Sequence, residues 1–325
     1  MRHARALSIV TLCSMAVTAL ALAAQEQERF KDLRPPAPLE DGLTARLDQL
    51  EQHACAKCHA DVFAEWSRTL HALAWVSEPY QEEIAGKAKP QGCWGCHVPV
   101  RLLDTDLSAK PDPRLDTRHY GVDCIACHQS ADGKVHGPWG EPTDAHVSVR
   151  DPRFEGSGSN GLCAACHRTN IGPVIGIAKD FEEDGQSCLA CHMAPLERTL
   201  ADGKTVRAGR SHALQTPRDP SFLARAFAIG LEMRAERAFV VIENVAGHRL
   251  PGLVGRKFVF DVRCFNVKGV ELAPVQLKID TRSSLAHKAK IEIELPAGSF
   301  SARLSASHVD PRQAEPRVFL ERELR

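Results

Sequence analysis

The chain has 325 residues, enough for one large or two ordinary domains, and 43% hydrophobic with 25% charged residues is a globular composition that excludes wholesale disorder. The 41 basic residues balance the 41 acidic ones, so no overall charge draws the chain to nucleic acid or to an anionic membrane. Twelve cysteines and fifteen histidines are the unusual features, and their arrangement points to the chemistry of the chain.

The first residues have the pattern of an export signal. Arg2 and Arg5 give a positive start, residues 6–22 are mainly apolar, and Ala21-Leu22-Ala23 offers a small-x-small cleavage site. We therefore predict a signal peptide over residues 1–24 and a periplasmic or extracellular protein. An uncleaved anchor is the alternative, although the apolar run barely reaches the roughly 20 residues of a membrane span and no later stretch is long and apolar enough to form one.

Residues 25–50 are assigned to a linker followed by a short helix. The proline-rich segment Arg34-Pro35-Pro36-Ala37-Pro38 is typical of extended backbone. The leucines after it have the spacing of one helix face, at Leu43, Leu47 and Leu50.

A Cys-x-x-Cys-His pattern then occurs five times within residues 55–192. Two thiols three positions apart lie on one side of a helical turn, so both can add to the vinyl groups of one porphyrin, and the histidine that follows can bind its iron. The pattern therefore predicts five covalently attached haem c groups. The attachment residues are Cys55, Cys58, Cys93, Cys96, Cys124, Cys127, Cys163, Cys166, Cys188 and Cys191, and the proximal iron ligands are His59, His97, His128, His167 and His192.

Zinc and disulfides are the two competing explanations of these cysteines. Structural zinc takes Cys-x-x-Cys pairs in twos, so five pairs leave one unmatched, and zinc needs no histidine after every second cysteine. A disulfide framework suits an exported protein, but disulfide partners are usually separated in sequence and nothing about them requires histidine. Haem attachment is the preferred interpretation at all five motifs.

The sixth ligand decides whether an iron only carries electrons or also binds a substrate. Methionine is almost excluded, because Met1 and Met15 fall in the predicted signal and Met193 directly follows His192, which leaves Met233. Bis-histidine ligation is the default, and it implies low-spin haems with lower potentials than His/Met ligation gives. Nine histidines of the predicted mature chain lie outside the motifs, namely His53, His71, His119, His136, His146, His212, His248, His287 and His308.

Sequence context ranks these histidines. Residues 63–73 have apolar side chains at helical spacing, so a helix is predicted to carry His71 over an iron. His119 lies just before the third motif and is better placed to reach a neighbouring haem than its own. The other candidates of this region are His136 and His146, which bracket a loop after the third motif, His212 after the fifth motif, and His53, which is ranked as the spare.

The pattern changes after Pro220, where short apolar runs appear, some of them alternating with period two. Six or seven short strands are expected, and they predict a β-sandwich. A helix over residues 222–234 is the alternative to the first strand. Cys264 is expected to be a buried thiol. The predicted strands cover residues 227–233, 239–242, 257–265, 275–280, 290–295, 301–307 and 318–321.

Three segments resemble a known group of proteins: Trp66–Ala74, His119–His128 and Asn244–Pro251. They look like the multihaem cytochromes c grouped with hydroxylamine oxidoreductase and its tetrahaem electron acceptor, many of which append a β-rich domain. The chain has no Cys-x-x-Cys-Lys motif of the kind typical of pentahaem ammonia-forming nitrite reductases, which weakens a catalytic role. The resemblance implies distal ligation by His71, His119, His146, His212 and His248, with His136 as a competitor for His146.

These observations predict an α+β protein: a haem-packed, mostly helical or irregular multihaem cytochrome domain over residues 51–219, followed by a β-sandwich-like domain over residues 220–325. We expect an exported electron carrier that serves redox partner proteins, with no catalytic residue, no nucleic-acid partner and no membrane span after signal removal. One alternative is an enzyme whose single open haem acts on a small inorganic nitrogen or sulfur compound. Another is a sensor or filament subunit in which haems mainly build structure.

Overall fold

The computed structural model describes residues 53–141, 143–170, 176–180 and 187–325 of the chain. The predicted signal peptide over residues 1–24 and the predicted linker over residues 25–50 lie outside the described residues. The fold is of the α+β kind, with short helices dominating up to residue 224 and strands dominating from residue 227 onward. No helix within the described ranges has the length and apolar character needed to cross a membrane.

The helices are built largely around the cysteine motifs. Four of the helices end on a motif histidine, whereas the first motif begins in a 3₁₀ turn and places its histidine just before the first helix. Helices this short are marginal in isolation, so tertiary contacts must hold them. Their bounds are α1 (Ala60–Trp66), α2 (Glu78–Ala85), α3 (Gln91–His97), α4 (Cys124–His128), α5 (Asn160–His167), α6 (Cys188–His192) and α7 (Pro220–Ala224).

Among the described residues, the motif-bearing region also contains several 3₁₀ turns and two small sheets. The sheets are a parallel pair, β1 (Val135–Gly137) with β2 (Ser148–Arg150), and an antiparallel pair, β3 (Pro195–Thr199) with β4 (Val206–Arg210). The 3₁₀ turns are Ala54–Lys57, Leu102–Asp104, Arg118–Tyr120, Pro152–Phe154, Gly156–Ser159 and Ile177–Asp180.

The prediction that His71 lies in a helix is wrong. Helix α1 ends at Trp66, and His71 lies in the irregular turn after it. Side-chain hydrogen bonds compete with the helix at this point. The Ser67 hydroxyl donates to the Ala64 carbonyl at 3.2 Å, and the Thr69 hydroxyl accepts from the backbone N–H of Ala72 at 3.2 Å.

Seven strands form two antiparallel sheets in the C-terminal part of the chain. One sheet has three strands and the other has four. Each predicted strand corresponds to one of these seven strands. The alternative prediction of a helix over residues 222–234 is wrong beyond α7, because a strand begins at Phe227. The strands are β5 (Phe227–Arg234), β6 (Arg237–Asn244), β7 (Lys257–Phe265), β8 (Val275–Ile279), β9 (Lys290–Glu294), β10 (Ser301–Val309) and β11 (Arg317–Leu324). The three-stranded sheet has the order β5-β6-β9, and the four-stranded sheet has the order β11-β10-β7-β8.

One apolar cluster lies between these two sheets and forms the main side-chain core. Alternate residues of β7 point into it, so Phe258, Phe260 and Cys264 are each at most 1% exposed, as the period-two pattern of that strand requires. The thiol predicted to be buried is therefore part of this core. Leu223 of α7 joins the same cluster and attaches the preceding segment to the sheets.

The motif-bearing region has much less apolar packing of its own. Its described residues form three small clusters, the largest around Leu102, Leu162 and Ala165. Clusters of this size bury little apolar surface, and a region of this length needs more than that to offset chain entropy.

Candidate haem centres

The five motifs define five candidate centres, numbered here by their histidines as centre 1 (His59), centre 2 (His97), centre 3 (His128), centre 4 (His167) and centre 5 (His192). Three of these rings are oriented by backbone carbonyls. Nδ1 of His97 donates to the Ala74 carbonyl at 2.5 Å. Nδ1 of His128 donates to the His136 carbonyl at 2.8 Å, and Nδ1 of His192 donates to the Gln215 carbonyl at 2.7 Å. A carbonyl can only accept, so the proton sits on Nδ1 and Nε2 keeps the lone pair that a metal needs.

Burial keeps these imidazoles neutral. Desolvation lowers the pKa of His97, His128, His167 and His192, and it lowers the pKa of His71 to about 4 and that of His212 to about 3. Neutral imidazole is the form that binds metal ions, so buried rings near neutral pH are ready to act as ligands.

Four motif histidines each face a second histidine ring at nearly the same separation. Bonds of about 2.0 Å from two ring nitrogens to one metal, together with two ring radii, place the ring centroids about 6 Å apart. All four separations agree with that value, so the residues present fit a metal between each pair. The centroids lie 6.4 Å apart for His59 and His146, 6.2 Å for His71 and His167, 6.1 Å for His128 and His212, and 6.3 Å for His192 and His248.

Centre 2 differs from the other four. Its His97 ring stacks on the ring of Tyr80, with centroids 3.8 Å apart and an interplanar angle of 11°. Within the described residues, no second histidine ring faces His97. The ring of His119, predicted as a distal ligand, lies 4.1 Å from that of Tyr120, and ligation by His119 stays a prediction.

His136 makes contacts that differ from those of its predicted competitor His146. Its Nδ1 lies 2.9 Å from Oδ2 of Asp151 and its Nε2 lies 3.0 Å from the Ser130 hydroxyl, so both ring nitrogens are engaged. Its carbonyl orients His128, as described above. His136 therefore supports centre 3 from behind the proximal histidine, whereas His146 faces His59 in centre 1.

The predicted spare, His53, is a buried histidine with 2% exposure. Its Nδ1 accepts the backbone N–H of Cys55 at 3.3 Å, and its Nε2 lies 3.7 Å from Asp123. The Sγ atoms of Cys55 and Cys124 lie within 4.8 Å of each other and of a His53 ring nitrogen. These three groups have the arrangement of a small metal site. Haem attached at both motifs would convert the two thiols to thioethers and leave His53 a structural role.

Two carboxylates that position the candidate ligands were not predicted from the sequence. Asp123 caps α4 by accepting the backbone N–H of Ala126 at 2.9 Å, and it forms an ion pair with Arg114 at 2.9 Å. An Asp directly before the cysteine motif is a helix-cap signal that the sequence contains. Glu65 accepts the backbone N–H of His212 at 2.7 Å. That contact joins segments far apart in the chain, and no local pattern announces it.

Thiols of different motifs lie close enough in three pairs to shift each other's pKa. The pairs are Cys55 with Cys124, Cys96 with Cys166, and Cys163 with Cys188. The attachment points of centres 1 and 3, of centres 2 and 4, and of centres 4 and 5 are therefore adjacent.

Comparison with known proteins agrees with these motifs. The model of the family described as cytochrome c554 and c-prime matches residues 54–129, which include three of the five motifs. A solved structure, that of a penta-heme cytochrome c552 from Thermochromatium tepidum, is similar with a TM-score of 0.59 and 18% identity, over 83% of this chain and 97% of that chain. At this identity the likeness shows a shared fold. No curated protein matches this chain.

Taken with the five motifs, the matched family supports a multihaem c-type cytochrome with covalently bound haem c that takes part in electron transfer.

Proposed function

We propose that this chain is an exported pentahaem cytochrome that relays electrons between redox partner proteins in the periplasm or outside the cell. One observation carries the proposal: each of four motif histidines faces a second histidine, with ring centroids 6.1 to 6.4 Å apart. An iron held by two histidines has no open position, so it passes electrons without binding a substrate. Each haem supplies one-electron chemistry, and the chain orients the ligands and shields the site.

Five haems also account for the thin side-chain packing around the motifs. Each porphyrin is a large apolar disc, so burying five of them provides the apolar contacts that the small clusters near Leu102 and Trp66 lack. The kinship with hydroxylamine oxidoreductase and its tetrahaem electron acceptor is part of the same proposal, on the resemblance around His71, His119 and His248.

The adjacent thiols favour a branched route through all five centres. Centre 1 meets centre 3 at Cys55 and Cys124, centre 4 meets centre 5 at Cys163 and Cys188, and centre 2 joins centre 4. Cys127 of centre 3 lies within electrostatic reach of both cysteines of centre 4, which connects the two halves. Electrons then run from centre 1 through centres 3 and 4 to centre 5, with centre 2 as a side branch.

A second candidate function is favoured by centre 2. No second histidine ring in the described part of the chain faces His97, and Arg118 lies 5.2 Å from the ring of Trp94, inside the second motif. An iron with one open side can bind and reduce or oxidise a small nitrogen or sulfur compound, and a nearby guanidinium attracts anions. In this form the chain is an enzyme that is supplied with electrons by its other four haems.

The two candidates are separated by the spin states of the oxidised protein. Four ligand pairs and one open centre give four low-spin haems and one high-spin haem in the electron paramagnetic resonance spectrum. We expect the high-spin signal to shift when nitrite, hydroxylamine or cyanide is added. Five low-spin haems contradict the enzyme, and two or more high-spin haems contradict the four ligand pairs.

The choice of His146 over His136 is tested by two alanine substitutions. His146→Ala removes the ring that faces His59, so we expect one additional high-spin haem with all haems still attached, because attachment depends on the cysteines. His136→Ala is the matched control: it removes the contacts to Ser130 and Asp151 but keeps the carbonyl that orients His128. A high-spin haem in His136→Ala, with none gained in His146→Ala, reverses the assignment.

A further inference from the structure

A buried histidine near one end of the two-sheet core has polar atoms that the described residues do not satisfy. His308 on β10 is 1% exposed and stacks on Phe258 with ring centroids 5.3 Å apart, and neither ring nitrogen has a hydrogen-bond partner among those residues. Buried polar groups in native proteins are nearly always hydrogen-bonded, so an orphaned ring in such a place calls for a ligand, an ion or a water.

Arginines surround this ring in excess over acidic groups. Burial, followed by the charge of Arg256, lowers the pKa of His308 to about 4; Arg312 and Arg317 act in the same direction, and the carboxylate of Asp310 opposes them. The charged groups acting on His308 are therefore three guanidiniums and one carboxylate. We call His308, Asp310 and these three arginines the arginine cluster.

The single carboxylate is already committed within the cluster. Oδ2 of Asp310 accepts from Nε of Arg256 at 2.8 Å and Oδ1 accepts from Nε of Arg312 at 2.9 Å, while the Asp310 side chain is only 2% exposed. Arg317 donates to an uncharged group, the carbonyl of Arg218. Since partly buried cations without enough counter-charge are costly, the cluster is arranged for one more anion.

The cluster lies where the sheets meet the segment that serves centre 5. Arg218, which Arg317 contacts, follows shortly after Gln215, the residue whose carbonyl orients His192. Phe222 of α7 packs on His192 with ring centroids 5.3 Å apart, and Leu223 beside it enters the core between the sheets. The segment around α7 thus joins the cluster, the core and the proximal histidine of centre 5.

We propose that the arginine cluster binds a carboxylate or a similar small oxyanion, and that the carboxylates concerned are the propionates of the haem at centre 5. Guanidiniums bind carboxylates through paired charge-assisted hydrogen bonds, and the His308 ring adds a donor on the buried side. The proposal rests on the pentahaem function, since it needs a haem at centre 5. A free oxyanion such as sulfate is the other source of the same chemistry.

The test uses Arg317→Gln in the full-length, haem-loaded protein, because this change leaves both ion pairs of Asp310 in place. If the cluster holds propionates, the midpoint potential of one haem falls in a spectroelectrochemical titration, since a cation near an oxidised haem disfavours it, while the other four potentials stay. Arg317→Lys keeps the positive charge, so the midpoint potential of that haem stays close to its value in the unaltered protein. Arg303→Gln is the control, because Arg303 lies on the same strand as His308 but pairs with Glu323 at the surface.

The free-oxyanion source is tested on the same samples. If the cluster binds a free oxyanion, sulfate raises the unfolding temperature of the unaltered protein in a saturable way, compared with chloride at equal ionic strength. Arg317→Gln then weakens the apparent sulfate affinity about tenfold or more. Should Arg317→Gln fail to fold, Arg312→Gln replaces it, since the Arg312 side chain is 40% exposed. Unchanged potentials together with an unchanged sulfate response overturn the proposal, whereas an intact mass with fewer than five haems contradicts the pentahaem function itself.

Discussion

Replacing His248 with alanine is expected to convert one low-spin haem to high spin while all haems stay attached. The ring of His248 lies parallel to that of His192, at 12° and 6.3 Å between centroids, which is the geometry of two ligands on one metal. The turn that presents it is fixed by Asn244, whose Nδ2 donates to the carbonyls of His248 at 2.8 Å and of Leu285 at 2.9 Å. Electron paramagnetic resonance of the oxidised protein measures the change.

His287→Ala is the matched control for this experiment. His287 is a partly buried histidine in the same group of loops, and its Nδ1 donates to the carbonyl of Ala246, but its ring faces no motif histidine in the described part of the chain. We expect its spectrum to match that of the unaltered protein. If His248→Ala leaves centre 5 fully low spin, the sheets do not supply a ligand, and their contact through α7 only shields the haem.

The features that could be predicted from the sequence are those encoded over short distances. The cysteine motifs are local, and so is the alternation of Ile291 and Ile293 that predicted β9. Period-two burial in β7 likewise follows from the pleat, which places Phe258, Phe260 and Cys264 on the same face. These patterns need no information about the rest of the chain.

The surroundings of the candidate ligands were harder to predict, because they depend on tertiary contacts and on side-chain hydrogen bonds that apolar spacing does not report. His119 was favoured for its place before the third motif, yet its ring packs on Tyr120. The helix expected through His71 ends earlier because hydroxyl groups compete for its backbone, a local effect that apolar spacing does not report. Pairing of His59 with His146 is a tertiary contact, and no local rule selects it over His136.

The ligand-bearing segments also link neighbouring centres. The turn with His71, which faces the histidine of centre 4, also provides the Ala74 carbonyl that orients His97 of centre 2. The segment with His212 faces centre 3, and its Gln215 carbonyl orients the histidine of centre 5. Because one stretch of backbone serves two centres, displacing it should affect two haems together.

Gly121→Ala is expected to displace the first of these turns. Gly121 has φ of +60°, and a Cβ added there would lie 2.4 Å from the carbonyl oxygen of His71 and 2.8 Å from that of Ala72. The backbone N–H of Val122 also bonds the His71 carbonyl at 2.9 Å, so the turn cannot retreat without losing that bond. We expect the free energy of unfolding to fall by about 2 to 4 kcal/mol, with backbone strain and the clash both contributing.

Gly133→Ala separates the clash from the backbone strain in this prediction. Gly133 also has positive φ, at +81°, but nothing lies within 4 Å of an added Cβ, so only the strain of about 1 to 2 kcal/mol applies. Thermal unfolding and the spin state of the oxidised protein are measured for both variants. Gly121→Ala should be the less stable variant. It should gain high-spin signal from centre 4 and show an altered signal from centre 2. Gly133→Ala should keep the spectrum of the unaltered protein. Equal stability and equal spectra for the two variants would mean that the His71 turn can move without disturbing the haems.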